Sequence, residues 1–143
     1  MSYCTLDEVK NQVDELRLVQ LTDDEGAGAV SEIRVTQAIQ DADDEIDGYL
    51  GVRMKVPLVP VPEAVRRLAV DITVYNLYSR REKIPEHRSE RYKNAVRFLE
   101  GIAAGKISLG VSDPEGTPLD VNRTETADEN PERAFTRSSL LGF

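Results

Sequence analysis

Apolar positions recur at helical spacing through most of the first 110 residues, and the breaks between the runs mark out four helices. The first opens at Thr5-Leu6-Asp7-Glu8, where a threonine cap and a glutamate three residues on can satisfy each other's free backbone amides. Leu6, Val9, Val13 and Leu16 then follow on one face, and the acids and glycines of residues 22–29 read as a loop. Ser31 caps a second helix, in which Val35, Ala38, Ile39, Ala42, Ile46, Tyr49 and Leu50 share one side. Gln37, Gln40, Asp44 and Asp47 lie opposite, so this helix should rest on a core with an acidic back.

Gly48 and Gly51 bracket its end, and the prolines of residues 56–62 make an extended connector. Pro62 suits the start of a third helix. That helix carries one stripe of Val65, Leu68, Ala69, Ile72 and Asn76, and a second stripe, Val70, Val74 and Leu77, on roughly the other side. A helix apolar on both sides must be covered on both sides. Either it runs through the centre of the bundle, or its second stripe meets another subunit. A basic turn, Ser79-Arg80-Arg81-Glu82-Lys83-Ile84-Pro85, leads to a fourth helix beginning near Glu86, with Tyr92, Ala95, Val96, Leu99, Ile102 and Ala103 on one face and Gly105 as its stop.

The pattern predicts an all-α fold: a small bundle of four main helices over residues 1–110, followed by an extended, partly disordered C-terminal tail over residues 111–143. The tail is rich in Pro, Gly, Thr and acids until its end, where Phe135, Leu140, Leu141 and Phe143 restore apolar character. A polar tether cannot bury enough surface to offset its chain entropy, and an apolar tip on such a tether suits docking to a partner. The tip could also fold back onto its own bundle.

A length of 143 residues leaves room for one domain and an appendage. Trp is absent and aromatics reach only 6%, so the core must be aliphatic. No apolar run approaches the roughly 18 residues that cross a bilayer, the N-terminus lacks a basic start with an apolar stretch, and the lone Cys4 has no disulfide partner. These features predict a protein made in a reducing cytosol, with no membrane contact and no cofactor. The net charge of −8 is unevenly distributed: residues 1–50 hold 3 basic and 13 acidic residues, residues 51–110 hold 12 and 6, and residues 111–143 hold 3 and 7. Such segregation favours head-to-tail contact between copies, basic middle against acidic neighbour; a solvated mosaic after folding is the alternative.

Asp23, Glu25 and Gly28 resemble part of a calcium-binding loop, but with Asp23 as its first position the fifth falls on Ala27 and the twelfth on Arg34, so two ligands are missing. Asp23 and Glu25 remain weak metal candidates. The acids Asp41, Asp43, Asp44, Glu45 and Asp47 read as a charged outer face. His87 has no nucleophile motif to partner it, and no glycine-rich phosphate loop is present. Nothing here predicts an enzyme or a catalytic residue. The basic segment Arg80, Arg81, Lys83, Arg88, Arg91 and Lys93 could touch nucleic-acid phosphates without reading bases, or meet an acidic protein surface.

Three groups of residues in order carry a family resemblance: Leu21-Thr22-Asp23 leading to residues 42–50; residues 62–78 with Arg66-Arg67-Leu68-Ala69-Val70-Asp71-Ile72 and Tyr75-Asn76-Leu77-Tyr78; and Arg91-Tyr92 through Gly105-Lys106-Ile107-Ser108-Leu109-Gly110. Together they resemble the head-to-tail connector proteins of Mu-like phages and prophages, over nearly the whole chain. The resemblance implies a helical adaptor between the portal of a filled capsid and the tail, present in the particle as a ring of twelve identical copies and in the host cytoplasm during assembly. Its implied partners are the portal protein, tail-side completion proteins and further copies of itself. A ring completed only on the portal would be monomeric in dilute solution. Family members often carry a fuller Asp-x-Asp-Gly loop than Asp24-Glu25-Gly26-Ala27-Gly28. The residues predicted to bind partners are Arg80, Arg81, Lys83, Val70, Val74, Leu77, Phe135, Leu140, Leu141 and Phe143. The alternative function is a small DNA-binding or regulatory helical protein using residues 80–93.

Overall fold

The computed structural model describes residues 1–81 and 83–110. The threonine cap forms as its sequence suggests: Thr5 Oγ1 accepts from the Glu8 amide, and Glu8 Oε2 accepts from the Thr5 amide at 2.7 Å. It starts α1, Leu6–Gln12, which stops early because Val13 is extended. A separate α2, Glu15–Thr22, then sets off from Asp14. The predicted first helix is therefore two. One straight rod would place Leu16 and Leu18 about 160° apart around its axis, and only one of them could face the core. The break turns Leu18 and Leu21 inward and leaves Leu16 80% exposed, the reverse of the predicted role for Leu16.

The remaining helices are α3, Glu32–Leu50, α4, Glu63–Ser79, and α5, Glu86–Ala103. Pro62 and Pro85 stand immediately before α4 and α5. Their lack of an amide costs nothing there, since a helix's first donors have no partner within the helix. Gly105, at φ 76°, ends α5, and the Lys106 and Ile107 amides donate to the Gly101 carbonyl at 2.8 and 3.1 Å. Ile107 returns over Gly101 so closely that a Cβ on Gly101 would lie 2.5 Å from it. The fold is an all-α bundle, with five helices among the described residues.

At its centre is α4, packed against each of the other four helices. Val65, Ala69 and Ile72 are sealed on one side, and Val70, Val74 and Leu77 on the other. Of the two roles open to the second stripe, the structure takes the internal one. Val74 and Leu77 have no exposed surface and Val70 only 8%, so the prediction that they bind a partner is corrected: their cover is α1, α2, α3 and α5 of the same chain.

The N-terminal segment anchors itself across α3. Tyr3 is 2% exposed; its amide donates to Asp43 Oδ1 at 3.0 Å, its hydroxyl donates to Asp47, and the same hydroxyl accepts from the Leu58 amide at 3.1 Å. This one side chain joins the chain start, α3 and the proline-rich connector. Next to it, Cys4 lies buried with its sulfur 3.6 Å from Thr73 Oγ1, and burial pushes its thiol up to about 11. The predicted acidic outer face consequently divides. Asp41 and Asp44 remain exposed, each accepting from a glutamine one turn earlier, Gln37 or Gln40. Asp43 is only 4% exposed, and burial raises its pKa above the usual carboxylate value. Glu45 accepts from the Tyr92 hydroxyl at 2.9 Å, and the Tyr92 ring stacks on Tyr75 at 3.9 Å.

Two outcomes follow from this packing. Leu77→Ala should destabilise the fold by about 2–5 kcal/mol through lost burial and an unfilled cavity, whereas Leu16→Ala should change it by no more than about 0.5 kcal/mol; urea denaturation measures both. Burial, then hydrogen bonding to Asp47 and Glu45 respectively, raises the pKa of Tyr3 and Tyr92, that of Tyr92 to about 12. The folded state thus holds these protons more tightly than the unfolded chain, so their contribution is complete below the unfolded value near 10 and is lost as pH rises from there through the folded values. Urea midpoints should fall with rising pH in that range, and less steeply in a Tyr3→Phe/Tyr92→Phe variant.

Candidate functional site

The loop between α2 and α3 closes on its own backbone. Asp23 Oδ1 accepts from the Ala27 amide at 2.9 Å and Oδ2 from the Gly28 amide at 2.8 Å. Gly26 and Gly28 both sit at φ 73°, a left-handed conformation that glycine reaches without the Cβ penalty. These amides, Gly28 first and then Ala27, hold the Asp23 carboxyl below the usual range. Both oxygens of Asp23 therefore serve the turn. The Glu25 side chain makes no hydrogen bond or ion pair among the described residues, and no group of three or more His, Cys, Asp or Glu gathers there in a way that could hold a metal ion.

Three guanidinium groups converge on the next residue. Asp24 lies 3.3 Å from Arg34 Nε, 2.5 Å from Arg80 Nη2 and 3.0 Å from Arg81 Nη2, while Arg80 Nη1 also donates to the Leu21 carbonyl at 2.9 Å. Arg80 foremost, through its hydrogen bond, keeps the Asp24 carboxyl below the usual range. The knot ties the α2–α3 loop to the end of α4. Arg80 and Arg81, predicted to meet a partner, thus already hold a ligand within the chain; their side chains are still 30% and 41% exposed.

The basic segment that looks continuous in sequence is dispersed in space. Arg88 donates to the Gln12 carbonyl at 2.9 Å, at the C-terminal end of α1, and Arg91 lies 3.4 Å from Asp71. Lys83 and Lys93 are exposed and make no ion pair among the described residues. Such a scattering removes the single cationic strip that would track a phosphate backbone. Phe135, Leu140, Leu141 and Phe143 lie outside the described residues.

Two surface hollows among the described residues bear on function. One, of about 530 Å³, runs between α1, α4 and α5, where cations and acids alternate: Arg66 is 3.5 Å from Glu8, Arg67 is 3.8 Å from Glu63, and Arg91 faces Asp71. It is internally neutralised. The other, of about 650 Å³, lies where α2 meets the end of α4 and the turn into α5. Its rim carries Arg17, Arg81 and Lys83, its floor is Leu21, Tyr78, Ile84 and Pro85, and no acid lines it among the described residues. The sequence did not single out Arg17, because only the break at Val13 and Asp14 turns α2 so that Arg17 shares a surface with Lys83.

The Asp24 knot has a consequence for acid stability. Because the folded pKa of Asp24 is depressed, its contribution is present above the unfolded value of 3.8 and is lost as pH falls through the lower folded value. In Asp24→Asn the melting temperature should be lower at neutral pH, the more so at low salt, and the further drop below pH 4 should be smaller than in the parent. Thermal melts followed by circular dichroism across pH and salt check this.

The chain was compared with known proteins. A sequence model of the family described as Bacteriophage Mu, Gp36 matches residues 3–127, leaving residues 128–143 beyond the match. The Mu-like prophage FluMu protein gp36 of Haemophilus influenzae is 37% identical over 91 residues, which cover 64% of this chain and 63% of that protein, less than two thirds of its length. Gene product J of Escherichia phage Mu is 31% identical over 125 residues, covering 83% of this chain and 87% of that protein. With a match across most of its length and relatives in both a phage and a prophage, the chain belongs to the bacteriophage Mu Gp36 family.

Proposed function

We propose that this protein is a structural subunit of the phage particle, a head-to-tail connector that joins the portal to the tail as a ring of identical copies, twelve in the particle. Membership of a Mu phage family carries the reading. The interior is in keeping with it, because the buried Asp43, Thr22 and Thr73 hold the fold together: Asp43 receives the Tyr3 amide, Thr22 the Ser31 amide, and Thr73 faces Cys4. On this reading the role rests on shape and adhesion.

Burial of both α4 stripes withdraws one support that the sequence offered, since no apolar side of α4 is left for a neighbour. Assembly must instead use the exterior: the uneven charge of the chain and the tail, whose Phe135, Leu140, Leu141 and Phe143 would anchor it to portal or tail-side proteins. On this reading the protein is made in the host cytoplasm and ends at the head-tail junction. No helix among the described residues is long and apolar enough to cross a membrane. Binding to DNA through residues 80–93 is the weaker alternative, because Arg80, Arg81, Arg88 and Arg91 are each occupied within the fold.

Deleting the gene from an inducible Mu-like prophage should yield filled heads and separate tails by electron microscopy, and supplying the full chain should restore joined particles. Joined particles without the gene would contradict the proposal. A chain ending at residue 110 should keep its helical circular dichroism signal but fail to restore joining.

A further inference from the structure

The basic hollow beside the end of α4 differs from the neutralised hollow between α1, α4 and α5 in that two of its cations, Arg17 and Lys83, have no acidic partner among the described residues. Arg81 is shared with Asp24, but Arg17 makes only a hydrogen bond to Gln20, and Lys83 makes no ion pair among the described residues. Beneath these cations lie Ile84 and Pro85, both partly buried, with edges of Leu21 and Tyr78. A surface that combines an apolar floor with a cationic rim selects an occupant with an apolar knob flanked by carboxylates.

The outer side of α3 has that composition. Ile33, Gln37, Gln40, Asp44 and Gly48 follow one another at intervals of three or four residues, with Asp41 next to Gln40 and one turn beyond Gln37, and all are exposed. Ile33 is 83% exposed, an unusual position for a large aliphatic residue on a helix whose other side is fully packed. Asp41 and Asp44 lie two turns and three turns beyond it, and their recorded hydrogen bonds come only from Gln37 and Gln40 on the same helix. Gly48 closes the row with open space around it. The row contains no cation, since Arg34 turns aside to Asp24. Because the row lies on a helix fixed by α1, α4 and α5, it cannot swing into the hollow of its own chain.

We propose that the hollow rimmed by Arg17 and Lys83 receives the Ile33–Asp44 row of a second copy. Apolar contact of Ile33 with Ile84 and Pro85 supplies the hold, and the two aspartates facing Arg17 and Lys83 set the register. The surfaces differ, so each copy offers both halves of the contact, as a closed series of identical subunits requires. The inference takes its biological setting from the connector reading, but the contact itself can be measured without phage.

Charge exchange tests it. Arg17→Glu/Lys83→Glu makes the hollow acidic, and Asp41→Lys/Asp44→Lys makes the row basic; all four side chains are exposed and none is an ion-pair partner of Asp24. Sedimentation velocity of the full chain, at concentrations up to about 1 mM so that contacts as weak as millimolar register, should show concentration-dependent association of the parent. Each variant alone should lose it by at least about tenfold in apparent Kd, because like charges then oppose, and an equimolar mixture should regain it, because both contacts become complementary again. A parent that stays monomeric throughout, a variant that associates like the parent, or a mixture no better than its components overturns the proposal. Circular dichroism establishes that each variant folds; should one fail, Arg17→Gln/Lys83→Gln and Asp41→Asn/Asp44→Asn replace the pairs, and each alone should weaken association, while their mixture should regain only the contact between the intact hollow of the second and the intact row of the first, giving pairs of unlike copies and no larger series. Failure of the charge exchange alongside separated heads and tails in the gene deletion would remove the surface assignment and leave the connector reading standing. Joined particles in the deletion would do the reverse.

Discussion

The structure depends on covering α4 twice. A helix with Val65, Ala69 and Ile72 on one side and Val70, Val74 and Leu77 on the other gains the burial of both only when neighbours close around it, and each large aliphatic side chain so buried is worth about 1.5–3 kcal/mol. The break between α1 and α2 follows from this demand, since one continuous rod could not turn Val9, Leu18 and Leu21 all inward. The same demand places α3 and α5 against α4 and brings Ile107 back over Gly101.

Closing the bundle puts the polar groups to work as joints. Tyr3 fastens the chain start to Asp43 and Asp47 and steadies Leu58. Asp24 fastens the α2–α3 loop to the end of α4 through Arg80 and Arg81. Much of the charge that sequence places near a partner is therefore used internally: Arg80, Arg81, Arg88 and Arg91 each hold a group of the same chain. The proposed contact between copies would then use residues other than those that hold the subunit together.

The periodic features were legible in the sequence. The Thr5–Glu8 cap, the helix after Ser31, the two stripes of α4 and the stop at Gly105 all come from local physics, and all are present. The burial of Asp43 also had a signal, because positions 39, 42, 43, 46 and 50 form one helical stripe; reading the residue as an acid before reading its position concealed it. Other features had no local signal. The partnership of Asp24 with Arg80 spans 56 residues and follows from packing alone, and Tyr3 is too near the chain start to belong to any periodic run. The hollow beside Lys83 exists only after α2 has turned at Val13, so no scan along the chain could assemble it.

The central claim is that the protein occupies one defined ring at the junction of head and tail. Quantitative mass spectrometry of purified, tailed Mu-like particles measures it most directly, through the copy number of this chain relative to the portal protein. The account predicts one copy for each portal subunit, retained through washes that strip loosely bound proteins. Absence from purified particles, or an abundance comparable to that of the major capsid protein, would contradict it.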